Sequence, residues 1–202
     1  MDKEEQFKFT CIRCGNCCTD KTTVVNLTYL DILRIKNGLE LNLEEVLEIV
    51  GFYILTLERT ENATKKMVLS PIETEKGPAY VGLIKNSKGD CLFYDEKKKK
   101  CSIYDLRPIF CRTFPFSFGY NIEDNLKIIY TEKAKQYCLG INDDAPVIDF
   151  NYWGNLGKKA VEDLKKNHSL IEIWNNNVRN KKTDPTVKNF LNWIFTFKKN
   201  HH

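Results

Sequence analysis

Four cysteines stand within eight residues near the start of the chain, as Cys11-Ile-Arg-Cys14-Gly-Asn-Cys17-Cys18, and four more follow at Cys91, Cys101, Cys111 and Cys138. That division points to metal coordination, because thiolates from distant segments that meet at one centre clasp the fold and seat its chemistry together. In a C-x2-C element the two intervening residues let the chain turn so that both sulfurs face one ion or cluster, a geometry common to tetrahedral zinc and to iron-sulfur sites. Gly15 relaxes that turn. The run Cys11, Cys14, Cys17 matches the first three positions of the ferredoxin pattern C-x2-C-x2-C-x3-C-P, but Lys21 holds the fourth place. Cys14 and Cys18 open the C-x3-C-x2-C pattern of radical S-adenosylmethionine chemistry, and Lys21 again stands where its third cysteine belongs. Both classes are disfavoured.

The vicinal pair Cys17-Cys18 is expected to serve two directions, since neighbouring side chains on an extended or loop backbone diverge. Two arrangements follow: two four-thiolate sites sharing the N-terminal element, or one cluster with an auxiliary shell of cysteines. A disulfide framework is the competing use of an even cysteine count. Against it, the start Met1-Asp-Lys-Glu-Glu-Gln is charged and no apolar stretch of a secretory signal follows. A chain of 202 residues can also bury a core without staples. A cytoplasmic, reducing compartment is therefore expected. No apolar run approaches the roughly 18 residues that span a bilayer.

The C-x2-C-G-x-C-C element, followed by Cys101-Ser-Ile-Tyr-Asp-Leu-Arg-Pro-Ile-Phe-Cys111-Arg-Thr-Phe-Pro-Phe, resembles the CxxCxxCC cysteine-cluster family of the YkgJ type. The resemblance spans about residues 9 to 140. It implies chelation of zinc or iron, with an iron-sulfur cluster, [4Fe-4S] foremost, or Zn2+ as the group held, and with Cys11, Cys14, Cys17, Cys18, Cys91, Cys101, Cys111 and Cys138 as ligands. It implies no agreed reaction. A similar cysteine arrangement occurs in flagellin lysine N-methylases. Many family members have Cys-Pro-Gly where this chain has Cys138-Leu-Gly140, which makes Cys138 the least secure ligand carried over.

Around the second quartet, Pro108 suits the first turn of a short helix that would carry Cys111 inward, and Pro115 ends it and forces an extended exit. Arg107 and Arg112 could donate to thiolate or cluster sulfur and offset its charge, or else pair with Asp105 or Glu96. Phe110, Phe114, Phe116 and Phe118 would shield the centre from water, or form ordinary core.

Along the chain, residues 1 to 10 read as a polar arm. Thr28 and Asp31 form a helix start ahead of Leu30, Leu33 and Ile35, with Gly38 as its stop; Asn42 and Glu45 start a second helix closed by Gly51. Glu44, Glu45 and Glu48 on that second helix would repel phosphate, so the pair is not a DNA-reading unit. Runs at Phe52-Leu57, Lys66-Leu69, Tyr80-Ile84, Cys91-Tyr94 and Leu126-Tyr130 predict a small antiparallel sheet, broken by turns at Glu61-Thr64 and Asn86-Asp90. Cys91 and Cys101 would end a hairpin whose tip carries Lys97 to Lys100, either a solvated turn or a docking patch for an acidic partner or RNA. After Pro146, helical patterns run over Trp153-Lys166, Leu170-Val178 and beyond Asp184-Pro185, with Trp174 and Trp193 as large anchors for packing or for a partner. The fold class predicted is α+β: a small antiparallel sheet with cysteine loops, flanked by short N-terminal helices and by C-terminal helices. Residues 1–145 read as a metal-binding domain and 146–202 as a helical extension packed on it.

The formal charge of +4 counts cysteines as neutral. Two four-thiolate centres of about −2 each would cancel it, so a nucleic-acid partner is not implied. A protein partner is left open. His168, His201 and His202 lie in polar or terminal positions and do not make a catalytic zinc site, which would pair nitrogen or oxygen ligands with an open position. No nucleophile motif or phosphate-binding glycine loop appears, so enzymatic activity is left open. Three functions follow: an iron-sulfur protein with a redox or cluster-dependent role, a zinc-clasped interaction module, and a methyltransferase-like modification enzyme.

Overall fold

The computed structural model describes residues 6–54 and 68–197. Among these residues the architecture is α+β, with seven α-helices and three separate two-stranded antiparallel ribbons. The expected single sheet is thus divided. After a four-residue helix α1 (Asn16–Thr19), helices α2 (Tyr29–Gly38) and α3 (Leu43–Ile49) each begin with the capping box that their sequences announce. The Thr28 hydroxyl accepts from the Asp31 N–H while the Asp31 carboxylate accepts from the Thr28 N–H, and Asn42 and Glu45 repeat the exchange. Gly51 does not close α3. The chain passes from Ile49 straight into β1 (Val50–Ile54), where Gly51 pairs with Gly82 of β2 (Ala79–Leu83).

β2 is buried along its whole length, and it delivers Val81 and Leu83 to the main core. There they meet Ile32 and Ile35 of α2, Val46 of α3, and the inner faces of two later helices, α6 (Phe150–Arg179) and α7 (Val187–Phe197). Two helical segments were expected across 153–178; a single 30-residue helix is found. Asn167 is 1% exposed and its side-chain oxygen accepts from the Tyr29 N–H at 2.8 Å. That bond stitches α6 to the start of α2 and gives the buried amide a partner inside the helix. Trp174 is 1% exposed, and its ring stands 5.6 Å from that of Trp193. Both therefore belong to the core. Of the expected strands, 55–57 and 66–67 lie outside the described residues, as do the turn at 61–64 and His201 and His202, and Leu69 is buried without being in a strand.

A second core gathers around β5 (Phe116–Tyr120) and β6 (Leu126–Tyr130). The N-terminal segment is not a polar arm where it is described. Phe7 is buried against Phe116, Phe9 stands edge-on to Trp153 at 5.8 Å, and Lys8 bridges to Val147. Burial of these two aromatic rings outweighs the polarity of their neighbours in sequence. Phe116 and Phe118 serve this core and not the cysteines, since each packs toward Trp153 or the ribbon.

Candidate metal centre

Each cysteine segment is held by a specific backbone constraint. Gly15 caps α1 in a left-handed conformation at φ 84°, which lets the chain reverse between Cys14 and Cys17. A side chain there would also collide with the Tyr94 ring. The Cys18 N–H donates to the Gly15 carbonyl at 2.8 Å, and the Cys18 carbonyl accepts from the Cys91 N–H at 2.7 Å, joining the first motif to the third segment. Cys91 follows the Asn86–Asp90 turn and bridges to Lys85; a short hairpin, β3 (Tyr94–Asp95) with β4 (Lys100–Cys101), then pairs Tyr94 with Cys101. The predicted hairpin is therefore real but smaller, with Cys91 one turn outside it.

Cys111 rides on α4 (Ile109–Thr113), which begins after Pro108 and ends before a cis Phe114–Pro115 bond. Its placement depends on α2. The buried Asp31 carboxylate accepts from the Ile109 N–H at 2.9 Å, besides serving its own capping box, and the Arg34 guanidinium reaches both Asp31 and, at 2.9 Å, the Arg107 carbonyl. Cys138 caps the end of α5 (Glu132–Tyr137). Beyond it, Gly140 lies so close to the Thr10 carbonyl that a β-carbon would strike the backbone, and the Thr10 N–H donates to the Gly140 carbonyl at 3.1 Å. The glycine of Cys138-Leu-Gly140 thereby sets Cys138 beside Cys11.

A polar knot ties the first motif to α5. Asp20 accepts from Thr22, Thr23 and, at 2.8 Å, the Lys133 ammonium, while Lys85 donates to the Asp20 carbonyl. Burial pushes the Asp20 carboxyl up, and the Lys133 ammonium with the Thr23 and Thr22 hydroxyls outweighs it, leaving the group well below the usual carboxylate range. Asn16 adds a side-chain bond to the Tyr137 carbonyl at 2.9 Å.

All eight cysteines are free thiols, and all eight line one cavity of about 310 Å³. Roughly 10–15 Å³ suffices for one water-sized sphere, so this space is far larger than an ion. Among the described residues no carboxylate and no imidazole lines it. The same residues include no three cysteine, histidine or acidic side chains grouped tightly enough to hold an ion as they stand. The thiols surround a space and do not meet at a point. Burial raises the Cys91, Cys101 and Cys138 thiols, and raises Cys111 most strongly among these, so their thiolates need a cation to persist. The vicinal pair splits. Cys17 is lowered to about 7, chiefly by the Cys18 thiol 4.0 Å away and, against the effect of burial, by its own backbone and the Arg107 charge; Cys18 is raised by the same contact. Tyr137, pushed up to about 12 by burial and by the charges of Asp20, Cys17 and Cys138, stays a neutral phenol on the wall.

Arg107 faces Cys17, Cys101 and Cys111, whose negative forms its charge favours, and stacks on Tyr104 at 3.6 Å. Arg112 lines the cavity too. Neither arginine forms an ion pair among the described residues, and Glu96 pairs instead with Lys88. Phe114 reaches the cavity wall, whereas Phe110 packs with Ile109 and Leu156. His168 lies elsewhere, hydrogen-bonded to Ser70. Sequence reasoning missed Tyr94, Tyr104, Arg13, Asp20, Lys133 and the second role of Asp31. Only Asp31 carried a local signal, its capping box.

The family model of CxxCxxCC, a "Putative zinc- or iron-chelating domain", matches residues 10–139, well over half of the chain. An uncharacterized protein of Methanocaldococcus jannaschii is 31% identical over 134 residues, which cover 66% of this chain and 58% of that protein. The chain thus spans less than two thirds of that relative's length. No solved structure matches it. Among the described residues no helix is long and apolar enough to cross a membrane.

Proposed function

We propose, from the premise that the chain belongs to the CxxCxxCC family of metal-chelating domains, that its cysteine cavity holds iron-sulfur centres of the [4Fe-4S] type with a redox or cluster-dependent role. One observation carries the reading: eight thiols and, among the described residues, no carboxylate or imidazole enclose a space of about 310 Å³. A lone tetrahedral zinc calls for four sulfurs at one point, about 2.3 Å from the ion. A polynuclear centre, which carries its own sulfides, calls for sulfurs spread around a volume. When bound, such a group supplies one-electron chemistry. The chain's own residues orient it, hold its charge and limit its access to water.

A division of the ligands is suggested by which thiols face one another, with Cys17 standing between the two groups. Cys18 faces Cys91 and Cys111, and Cys111 faces Cys91 and Cys101. Cys138 faces Cys14 and Cys17, although Cys91, Cys101 and Cys111 face Cys17 as well, and the Gly140 carbonyl after Cys138 accepts from the Thr10 N–H next to Cys11. We assign Cys18, Cys91, Cys101 and Cys111 to one centre, and Cys11, Cys14, Cys17 and Cys138 to a second that shares its wall. Arg107, facing thiols of both sets, offsets their negative charge, and Arg112 adds to that at the wall.

The test is anaerobic purification of the full chain followed by metal and sulfide analysis. Iron with acid-labile sulfide, and visible absorption that dithionite bleaches, is the expected result. Colourless protein with stoichiometric zinc would overturn the cluster and leave a zinc-clasped interaction module. Aerobic preparation is not a fair test, because zinc occupies thiolates that have lost a cluster.

A further inference from the structure

We infer that an acidic protein surface docks over the mouth of the cysteine cavity, on a rim of cations that the fold leaves without carboxylate partners. Five cations line the cavity, Arg13, Lys99, Lys100, Arg107 and Arg112, and no acidic residue does among the described residues. Their roles differ by depth. Arg107 is half-buried and turned to the thiols, while Arg13, Lys99 and Lys100 are exposed. Arg13 rests its guanidinium 4.5 Å over Tyr104, opposite in purpose to an ion pair: the ring fixes the side chain while its N–H edge keeps its donors for another molecule.

The lysine-rich turn sharpens the case. A run of four lysines ordinarily disperses into solvent, but here Lys99 takes a left-handed backbone at φ 48° and β4 begins at Lys100, so the last two lysines line the cavity. Neither forms an ion pair with a carboxylate among the described residues: Lys98 takes Asp95, at 3.8 Å, and Lys100, its cross-strand neighbour, feels Asp95 only at longer range. Arg107 spends its charge on the thiols, whereas the exposed Arg13, Lys99 and Lys100 have no ion pair among the described residues, so an acidic partner complements them.

The exposed apolar side chains next to the cysteines favour protein over nucleic acid. Ile12 and Leu139, each next to a cysteine of the cavity, are 54% and 58% exposed. They are aliphatic and offer no face on which a base can stack. Tyr152 is the sole exposed aromatic residue among those lining the cavity, whereas single-stranded nucleic acid binds on successive rings. Exposed apolar side chains together with arginine and lysine suit a small, transient protein interface of the kind used in electron transfer. The inference rests on the proposed redox reading for what passes between the partners, and not for the binding itself.

Fluorescence anisotropy of a labelled peptide of about ten glutamates, with the anaerobically purified, metal-loaded full chain, tests it. Binding is expected at about 20 mM salt and should weaken about tenfold at about 200 mM, as screening shortens the reach of the rim. The triple variant Arg13→Ala, Lys99→Ala, Lys100→Ala should bind about tenfold more weakly at unchanged metal content. A control of equal charge loss, Lys158→Ala, Lys181→Ala, Lys182→Ala, should bind as the parent does. If the first triple variant folds poorly, Lys99→Gln, Lys100→Gln keeps the Arg13–Tyr104 contact and should show the same direction. Absence of binding at low salt, or equal weakening by the control, would overturn the inference. So would tighter rim-dependent binding of an oligonucleotide of equal charge, which would make the partner a nucleic acid. Iron analysis of the same preparation is independent of these readouts, so failure of the cluster and failure of the docking surface are told apart.

Discussion

Replacing Asp31 by alanine tests the idea that the position of Cys111 is set from a helix seventy residues away. Asp31 is 1% exposed, and its carboxylate accepts from the Thr28 N–H at 2.9 Å, the Thr28 hydroxyl at 2.8 Å, the Ile109 N–H at 2.9 Å and the Arg34 guanidinium. Burial nonetheless pushes its carboxyl above the ordinary range, with the Thr28 bonds, the Arg34 charge and the Ile109 N–H opposing. The pair as a whole therefore contributes little net stability, as buried ion pairs commonly do. Its removal is another matter. Asp31→Ala strands three donors and one half-buried cation, and breaking a buried pair costs about 3–5 kcal/mol. Arg34, at 24% side-chain exposure, can partly turn to water, which favours the lower end of that range. For a chain of this size the loss corresponds to a fall in Tm of roughly 6–20 °C. The distinctive consequence is local: α4 loses its tie, so metal bound through Cys111 should fall more than metal bound through Cys14. Thermal unfolding of loaded protein, with metal analysis and comparison against Cys111→Ser and Cys14→Ser, reads both effects. The double variant Asp31→Leu, Arg34→Met should regain only the part of the loss that the unpaired cation causes, since the Thr28 and Ile109 donors stay stranded, and should not regain the metal. Full metal content in a destabilised Asp31→Ala would refute the positioning role, and an unchanged Tm would refute the buried-donor argument.

Gly15→Ala must adopt φ near 84° and displace the Tyr94 ring, so it should lose at least about 1–2 kcal/mol and metal with it; Tyr94→Leu should not restore the variant, because the backbone strain persists. Calorimetry with metal analysis checks both. Asp20 has a folded pKa below its unfolded value of about 3.9, so its stabilisation is present above that value and is lost as pH falls through the folded one. Asp20→Asn should accordingly lower Tm near neutral pH and flatten the dependence of Tm on pH below about 4, read from melts across the acid range. Cys17→Ser and Cys18→Ser should deplete different centres, seen as loss of distinct spectroscopic signals or distinct metal equivalents; parallel loss of one signal would leave one cluster with an auxiliary cysteine shell.

What sequence made legible here is local chemistry that repeats a rule. The capping boxes at Thr28–Asp31 and Asn42–Glu45, the reversal at Gly15 and the proline bracket around Cys111 each declare themselves within a few residues, and each is found. The eight cysteines declared a common purpose through their spacing, and they line one cavity. Illegible features were those whose physics is settled by a partner distant in sequence. Phe116 and Phe118 read from sequence as ordinary core or as a shield for the cysteines; core is found, and the partners that make it, Phe7, Phe9 and Trp153, are distant in sequence. Asn167 carries no motif, and only the Tyr29 N–H, far off in sequence, gives it a use inside a helix. Asp20 and Lys133 carry no motif at all, since a knot of one carboxylate, one ammonium and two hydroxyls has meaning only once α5 lies beside the first cysteine loop. The division has a functional side. The cysteines are recognisable because thiolate geometry demands their spacing, whereas the groups that decide where each thiol points, Asp31, Gly140 and Lys133, sit on elements joined to the cysteine segments only by folding. Substitutions at those three positions should therefore alter metal occupancy while leaving the cysteine pattern intact, so a relative that keeps all eight cysteines but lacks these supports cannot be assumed to hold the same centres.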